Sequence, residues 1–433
     1  MINVIEQPTH YTHRIFRANA RSQNSILASF PETQVSPSVA ATVNPVSTTP
    51  IPRSPLTAGS ELAETKFYPS PDNPDKRIGY AIVGLGHLAL TDIMPAFGAC
   101  KHSRPVALVS ADLKKAGQVA EQYGINSQNL YDYNDFDRIA DNKEIDAVYI
   151  ILPNSMHHEY TIRAARAGKH VLCEKPMAST AKEAQEMIDA CKQADRKLMI
   201  AYRIQYEPYN RIIQGWIRSK EYGNVKLMEL YNGQHIGDPS QWRLKRTLAG
   251  GGSLIDVGIY CLNTARFLIG EEPEAVFGSS YSTPGDGRFK EVEESMLFQL
   301  HFPGGVRANC VTTYGAHACR RYRAYTDKGT WFGMDPAFSY KGLQVELSQA
   351  KGNLEWKQNP SMVEKNQFAI EMDHFSECIR ENKQPYTPGE EGLQDNIIME
   401  AIYKSAAEGK VIELEKHAGL DKFRGEKPKE ENS

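Results

Sequence analysis

From residue 78 onward, strand-length apolar runs alternate with amphipathic stretches. The runs IGYAIV (78–83), VALVS (106–110), DAVYIIL (146–152), HVLC (170–173) and KLMIA (197–201) are rich in β-branched residues. Between them the spacing turns helical. In TAKEAQEMIDACKQA (180–194), Ala184, Met187, Ile188 and Cys191 fall on one face and the charges on the other. Strands separated by helices require crossover connections, and so a parallel sheet covered on both faces. The expected product is an α/β chain whose residues 76–202 form a doubly wound parallel, or Rossmann, sheet. After residue 203 the pattern changes. VKLMELYNGQ, EAVFGSSYST, SMLFQLHFP, VRANCVTTYG and RRYRAYTDKGTWFGM follow one another with few helices between them. Residues 203–415 are therefore expected to form an α+β domain with an open, mainly antiparallel sheet. FAIEMDHFSECIRE and EGLQDNIIMEAIYKSAAEG read as its closing helices.

The two ends lack this periodicity. Residues 36–56, SPSVAATVNPVSTTPIPRSPL, repeat Pro, Ser and Thr and cannot build a core, so residues 1–75 read as an extended arm. MINVIEQPTHYTHRIFRANARSQ has neither an apolar segment nor a small-residue cleavage site, and no twin arginine precedes an apolar stretch. The expected location is the cytoplasm, with the periplasm as alternative. Residues 416–433 read as a charged, frayed tail.

The candidate chemistry lies at the ends of the expected strands. GLGHLA (84–89) directly follows the first strand and opens a helix, the context that a dinucleotide fingerprint needs. Gly84 permits the tight turn, Gly86 lets backbone approach a pyrophosphate, and Ala89 allows close helix–strand packing. The helix N-terminus then offers free N–H groups to the phosphates. At the end of the second strand an NAD site would usually place an acid, whereas this chain has Ser110, with Lys114 and Lys115 following. That favours the 2′-phosphate of NADP over NAD. Asp112 argues the other way, unless it caps the next helix. LPNSMHHEY and CEKPMA end the DAVYIIL and HVLC strands, and Lys175 between Glu174 and Pro176 would sit on the ligand-binding edge of the sheet. As residues alone, Lys175 could equally be an exposed loop lysine, Tyr260 a packing residue and Asp256 a cap.

Composition removes several classes of function. A formal charge of -3 over 433 residues gives no basis for nucleic-acid or anionic-membrane binding, and no apolar run is long enough to span a bilayer. The seven cysteines are dispersed without a CxxC pair, which favours free, mostly buried thiols over disulfides or a zinc site. His157 and His158 are adjacent and point apart, a poor metal pair.

Four motifs in order, AIVGLG, YIILPNSMHHEY, AGKHVLCEKPMA and GGGSLIDVGIYCLNTARFLIGEEP, resemble the glucose-fructose oxidoreductase / inositol dehydrogenase / rhizopine-catabolism family over residues 77–411. The glucose-fructose oxidoreductase branch, which has Tyr at the position of Tyr260, is the nearest match. The resemblance implies catalysis by Lys175, Asp256 and Tyr260: the tyrosine takes a proton from a sugar hydroxyl and the lysine charge stabilises the phenolate. It further implies NADP held by Gly84, Leu85, Gly86, His87, Leu88, Ser110, Lys115, Tyr133, Leu152, Pro153, Asn154, His157, Glu174, Lys175, Arg203, Trp242, Arg243 and Tyr340. At His87 and Leu88 close relatives have Lys and Tyr, so one positive charge near the pyrophosphate is missing. The partners implied are small sugars and a second copy of the chain, as homodimer or homotetramer, with the proline-rich arm crossing a subunit interface. Three activities stay open: sugar-to-sugar transfer through retained NADP (aldose to lactone, ketose to polyol), an ordinary sugar or polyol dehydrogenase with exchangeable cofactor, and a non-catalytic NADP-sensing regulator. The intact Lys175, Asp256 and Tyr260 set argues against the third.

Overall fold

The computed structural model describes residues 76–428. The expected N-terminal arm lies outside the described residues. Among them, no helix is long and apolar enough to cross a membrane. All seven cysteines are free thiols; six are buried and Cys319 is half-buried.

Six parallel strands form the first sheet: β1 (Ile78–Val83), β2 (Ser103–Val109), β3 (Leu130–Tyr131), β4 (Ala147–Ile150), β5 (His170–Glu174) and β6 (Leu198–Ala201). Their spatial order is β3-β2-β1-β4-β5-β6. Every residue of β1 and β4 is buried, as continuous apolar strands covered on both faces must be. The order reverses between β1 and β4, which opens a crevice at their carboxyl ends. Two-residue β3 escaped sequence reading because it is too short to show a period.

The second sheet is nine-stranded. It comprises β7 (Val225–Gly233), β8 (Ala275–Tyr281), β9 (Ser295–His301), β10 (Arg307–Thr313), β11 (Cys319–Thr326), β12 (Thr330–Met334), β13 (Val345–Lys351), β14 (Leu354–Gln358) and β15 (Ile412–Glu413). The order is β14-β13-β12-β11-β7-β10-β9-β8-β15. All pairs are antiparallel except β7 with β10. The last three strands were not expected from sequence. β14 is exposed throughout, so it lacks the in–out alternation that marks a half-buried strand.

The closing helices Gln367–Arg380 and Gly389–Glu408 return to the first sheet. Asp373 accepts hydrogen bonds from the backbone N–H of Lys101 (2.6 Å) and His102 (2.9 Å) and from Ser103 Oγ (2.8 Å). The Tyr80 hydroxyl of β1 donates to Met372 O at 3.1 Å.

A buried ion cluster ties the helices Ile259–Ile269 and Gly389–Glu408 of the second half to each other and to the end of the described chain. Arg266 pairs with Glu272 at 2.7 Å, Glu391 at 3.0 Å and Asp395 at 2.5 Å, and its side chain is wholly buried. Arg424 adds a 2.6 Å bond to Glu391. The reading of residues 416–433 as frayed is corrected here up to residue 428, because this guanidinium finds a buried carboxylate and is drawn inside. Burial raises the Asp395 carboxyl and the Glu391 charge adds to it, so despite Arg266 it stands at about 6. Removing one partner of a buried ion cluster leaves charge uncompensated at about 3–5 kcal/mol. Arg266→Leu should therefore lose roughly that much in urea unfolding, far more than Lys182→Ala, whose ion pair to Glu186 is at the surface.

Candidate active site

The crevice at the carboxyl ends of β1 and β4 continues under the second sheet as a cleft of about 730 Å³. Gly84 ends β1 with φ of 99°, and a Cβ there would stand 2.4 Å from the Ile151 carbonyl oxygen. Only glycine lets the two strand ends approach so closely. At Gly86 a Cβ would meet nothing within 4 Å, so the turn faces open cleft. The helix that follows begins at residue 87 and widens into a π-turn over Ala89–Ile93. Bare backbone, open space and a helix N-terminus fit a dinucleotide pyrophosphate.

The end of β2 resolves the competing signals at residues 110–115. Asp112 caps the helix Leu113–Tyr123, accepting from Lys115 N at 2.9 Å. Ser110 is buried and its Oγ accepts from Asp112 N at 3.2 Å. Lys115 Nζ turns into the cleft and donates to Leu85 O at 2.6 Å.

Across the cleft, the helix Ile259–Ile269 is preceded by a second π-turn, Leu254–Gly258, which carries Asp256. Glu293 pins its start, accepting from Gly252 N at 3.0 Å and Leu254 N at 2.9 Å. Asp256 is the electrostatic centre. Its Oδ2 accepts from Arg243 Nε (2.9 Å), the Tyr314 hydroxyl (2.9 Å) and Gln234 Nε2 (3.3 Å). Lys175 Nζ donates to Asp256 O at 3.0 Å and Oδ1 at 3.4 Å. Burial alone would raise the Asp256 carboxyl, but Arg243, Lys175 and the Tyr314 hydroxyl outweigh it and hold it at about 2. Burial works against the Lys175 ammonium, yet Tyr260, Asp256 and Glu174 raise it above its ordinary value. Lys175 Nζ lies 4.7 Å above the Tyr260 ring centroid, and the Arg203 guanidinium carbon lies 5.0 Å from that centroid. Tyr260 is thus bracketed by two cations.

The cleft brings together every expected site residue but one. Trp242 stacks on Arg243 at 4.6 Å, and Arg203 lies 4.4 Å from the Tyr340 ring. Tyr133 packs edge-on against Tyr160. Asn154 is fixed by a 2.8 Å bond from Nδ2 to Ala249 O, and Glu174 accepts from the Tyr149 hydroxyl at 2.9 Å. His87 and Leu88 stand at the open lip. His157 is the exception. It is fully buried, with Nδ1 2.8 Å from Pro176 O and Nε2 2.9 Å from Leu152 O, and it braces the two cleft-lining loops from beneath. Sequence reading did not single out Asn232, Gln234, Tyr314 or Arg320, which also surround the site. A signal existed: along β7 the inward positions run Met228, Leu230, Asn232 and then Gln234, so an apolar face turns polar toward its end.

A doubly wound sheet with this glycine turn, facing a cationic–carboxylate–tyrosine cluster, defines a nucleotide-dependent oxidoreductase. Residues 78–202 match the oxidoreductase family described as NAD-binding Rossmann fold, and residues 211–332 match the GFO/IDH/MocA C-terminal domain. The chain is 33% identical over 373 residues to D-xylose 1-dehydrogenase [NADP(+)] of Haloarcula marismortui, covering 83% of this chain and 99% of that protein. It is 48% identical to the solved aldose-aldose oxidoreductase from Caulobacter crescentus complexed with glycerol, with a TM-score of 0.75, covering 78% of this chain and 100% of that one. 1,5-Anhydro-D-fructose reductase of Ensifer adhaerens is 27% identical over 72% of this chain and 91% of its own length. The chain belongs to the GFO/IDH/MocA oxidoreductase family.

The low pKa of Asp256 has a consequence for stability. Because the folded value, about 2, lies below the ordinary carboxylate range, the stabilisation is complete above about pH 4 and is lost as pH falls through 2. Asp256→Asn should be less stable than wild type at pH 6, and the difference should shrink across that acid window in urea titrations.

Proposed function

We propose that this protein is an NADP-dependent sugar oxidoreductase that oxidises an aldose at its anomeric carbon to the lactone and returns the hydride to a second sugar in the same cleft. The observation that carries the reading is the Lys175, Asp256 and Tyr260 cluster at the cleft wall. The bound dinucleotide supplies the hydride acceptor and donor. Asp256, held as a carboxylate, is the acceptor that orients a sugar hydroxyl, and Gln234 adds an amide beside it. Tyr260 receives the hydroxyl proton, with the ammonium of Lys175 and the guanidinium of Arg203 close to its ring.

NADP is favoured because the Asp112 carboxylate is engaged in capping, while Ser110 and Lys115 line that end of the cleft. Lys115 need release only Leu85 O to meet a 2′-phosphate. For the second sugar, the name of the Caulobacter relative supports an aldose as acceptor beside the ketose expected from sequence. A dehydrogenase that exchanges NADP at each turnover is the second reading, favoured by the name of the Haloarcula relative. Self-association as a homodimer or homotetramer is part of the proposal; the apolar Tyr281 and Leu297 stand exposed on β8 and β9.

Protein purified without added cofactor should carry NADP, and an aldose alone should raise the near-ultraviolet absorbance of reduced nicotinamide. A second aldose or a ketose should then abolish it. A protein that reduces cofactor only when NADP is supplied at every turnover would establish the exchangeable reading instead. Tyr260→Phe should slow the single-turnover reduction about 10²- to 10⁴-fold while cofactor binding is kept; a wild-type rate would place the proton acceptor elsewhere. Ser110→Asp should move preference from NADP toward NAD in binding titrations, and an unchanged preference would refute this assignment.

A further inference from the structure

The sheet wall of the cleft carries a cation that none of the proposed steps uses. Arg320 of β11 lies directly opposite Asn232 of β7 in an antiparallel pair, so the two side chains share one face of the sheet, and both line the cleft. Asn232 Nδ2 donates to Val257 O at 2.9 Å, one residue beyond Asp256, which puts Arg320 one strand away from the turn that holds the site carboxylate. Its backbone is fixed too. Ala337 N donates to Arg320 O at 2.6 Å, at the head of the segment that carries Phe338, Ser339 and Tyr340 along the cleft. The guanidinium itself has little to bond. It offers five N–H groups, yet among the described residues its one hydrogen bond is a 3.5 Å contact from Nη1 to Ser339 Oγ, and no carboxylate pairs with it. None of its nitrogens is both buried and unpartnered, so the unused N–H groups are open to a ligand. The neighbouring cations are engaged. Lys175 and Arg243 share the single carboxylate of Asp256, and Arg203 donates to Phe338 O, Ser339 O and Gln367 Oε1. With two cations on one carboxylate and a third unpaired, the wall around Asp256 has positive charge to spare. A neutral aldose would leave that charge to water, whereas a carboxylate matches the fork of a guanidinium in two parallel bonds.

We propose that Arg320 is a specificity-determining residue that binds the carboxylate of a sugar acid, so that the substrates of this cleft include uronic acids, aldoses with a carboxylate at the end remote from the anomeric carbon. The anomeric hydroxyl meets Asp256 and Tyr260 while the carboxylate lies against β7 and β11. The chemistry is that of a neutral aldose: the anomeric C–H bond breaks, its hydride passes to the nicotinamide, the hydroxyl proton passes to Tyr260, and the sugar leaves as a lactone with its carboxylate unchanged. One guanidinium balances one negative charge, which favours a carboxylate over a phosphate dianion. The oxidation rests on the reaction proposed for this cleft; the binding of a carboxylate at Arg320 does not.

Single-turnover reduction of NADP in the holoenzyme, followed over a concentration series of D-glucuronate and of D-glucose, gives a half-saturating concentration and a limiting rate for each sugar. Glucuronate should half-saturate at the lower concentration, and its advantage should shrink as salt is raised. Arg320→Leu should weaken glucuronate about 10- to 10²-fold more than it weakens glucose, the scale of a bond between charged groups, with the larger change in half-saturation rather than in limiting rate. Arg320→Lys keeps the charge without the fork and should recover part of the loss. Equal weakening of both sugars would make Arg320 a general contact and overturn the proposal, as would a wild type that binds glucuronate no better than glucose. D-Glucose 6-phosphate binding more tightly than glucuronate would overturn the assignment to a carboxylate. Calorimetric titration of the holoenzyme with glucuronate separates the site from the reaction. Binding that depends on Arg320, with no reduction of NADP by either sugar, would refute the proposed reaction and leave the carboxylate site standing.

Discussion

The carboxylate of Asp256 is the constraint on which the site depends. It sits on a π-turn of the second domain, yet its partners come from both halves: Lys175 follows β5, while Gln234, Arg243 and Tyr314 come from the loops after β7 and β10. A buried carboxylate without donors would be costly, so the fold must bring these groups together or leave the charge unpaid. By satisfying one anion, the chain fixes the distance between the nucleotide end of the cleft and the opposite wall. Tyr260 inherits its place from that arrangement, since it lies one turn beyond Asp256 and under the same ammonium.

Two of the helices that open onto the cleft carry a π-turn near their start, Ala89–Ile93 on one side and Leu254–Gly258 on the other. Such turns widen the backbone spiral and are frequent at functional sites. Here the second turn buries Asp256 and Val257 together, while Asn232 Nδ2 holds the Val257 carbonyl at 2.9 Å. The irregularity is therefore anchored from the sheet beneath.

Much of this was legible in the sequence where a single periodicity or motif carried the information. β1 was read to the residue, because its six apolar positions are followed at once by Gly84. The family resemblance, and with it Lys175, Asp256 and Tyr260, was legible because the motifs are contiguous. What escaped depends on contacts between distant segments. His157 lies in a motif, but its burial beneath Leu152 and Pro176 follows from loop packing that no local pattern encodes. Arg424 looked like tail because Glu391, its partner, is 33 residues away. Lys115 was read as a phosphate ligand, and only the structure shows that it also fastens the glycine turn through Leu85 O.

The bond set of Asp373 bears on the order in which the molecule can be completed. The backbone N–H groups of Lys101 and His102, at the entrance to β2, have their acceptor some 270 residues later in the chain. A nascent polypeptide leaves the ribosome from its N-terminus, so the nucleotide-binding sheet emerges long before the helix that seals it. Until Gln367–Arg380 arrives, those amides and the Tyr80 hydroxyl must be satisfied by solvent. The two halves are thus separate as sequence motifs but finish folding as one body.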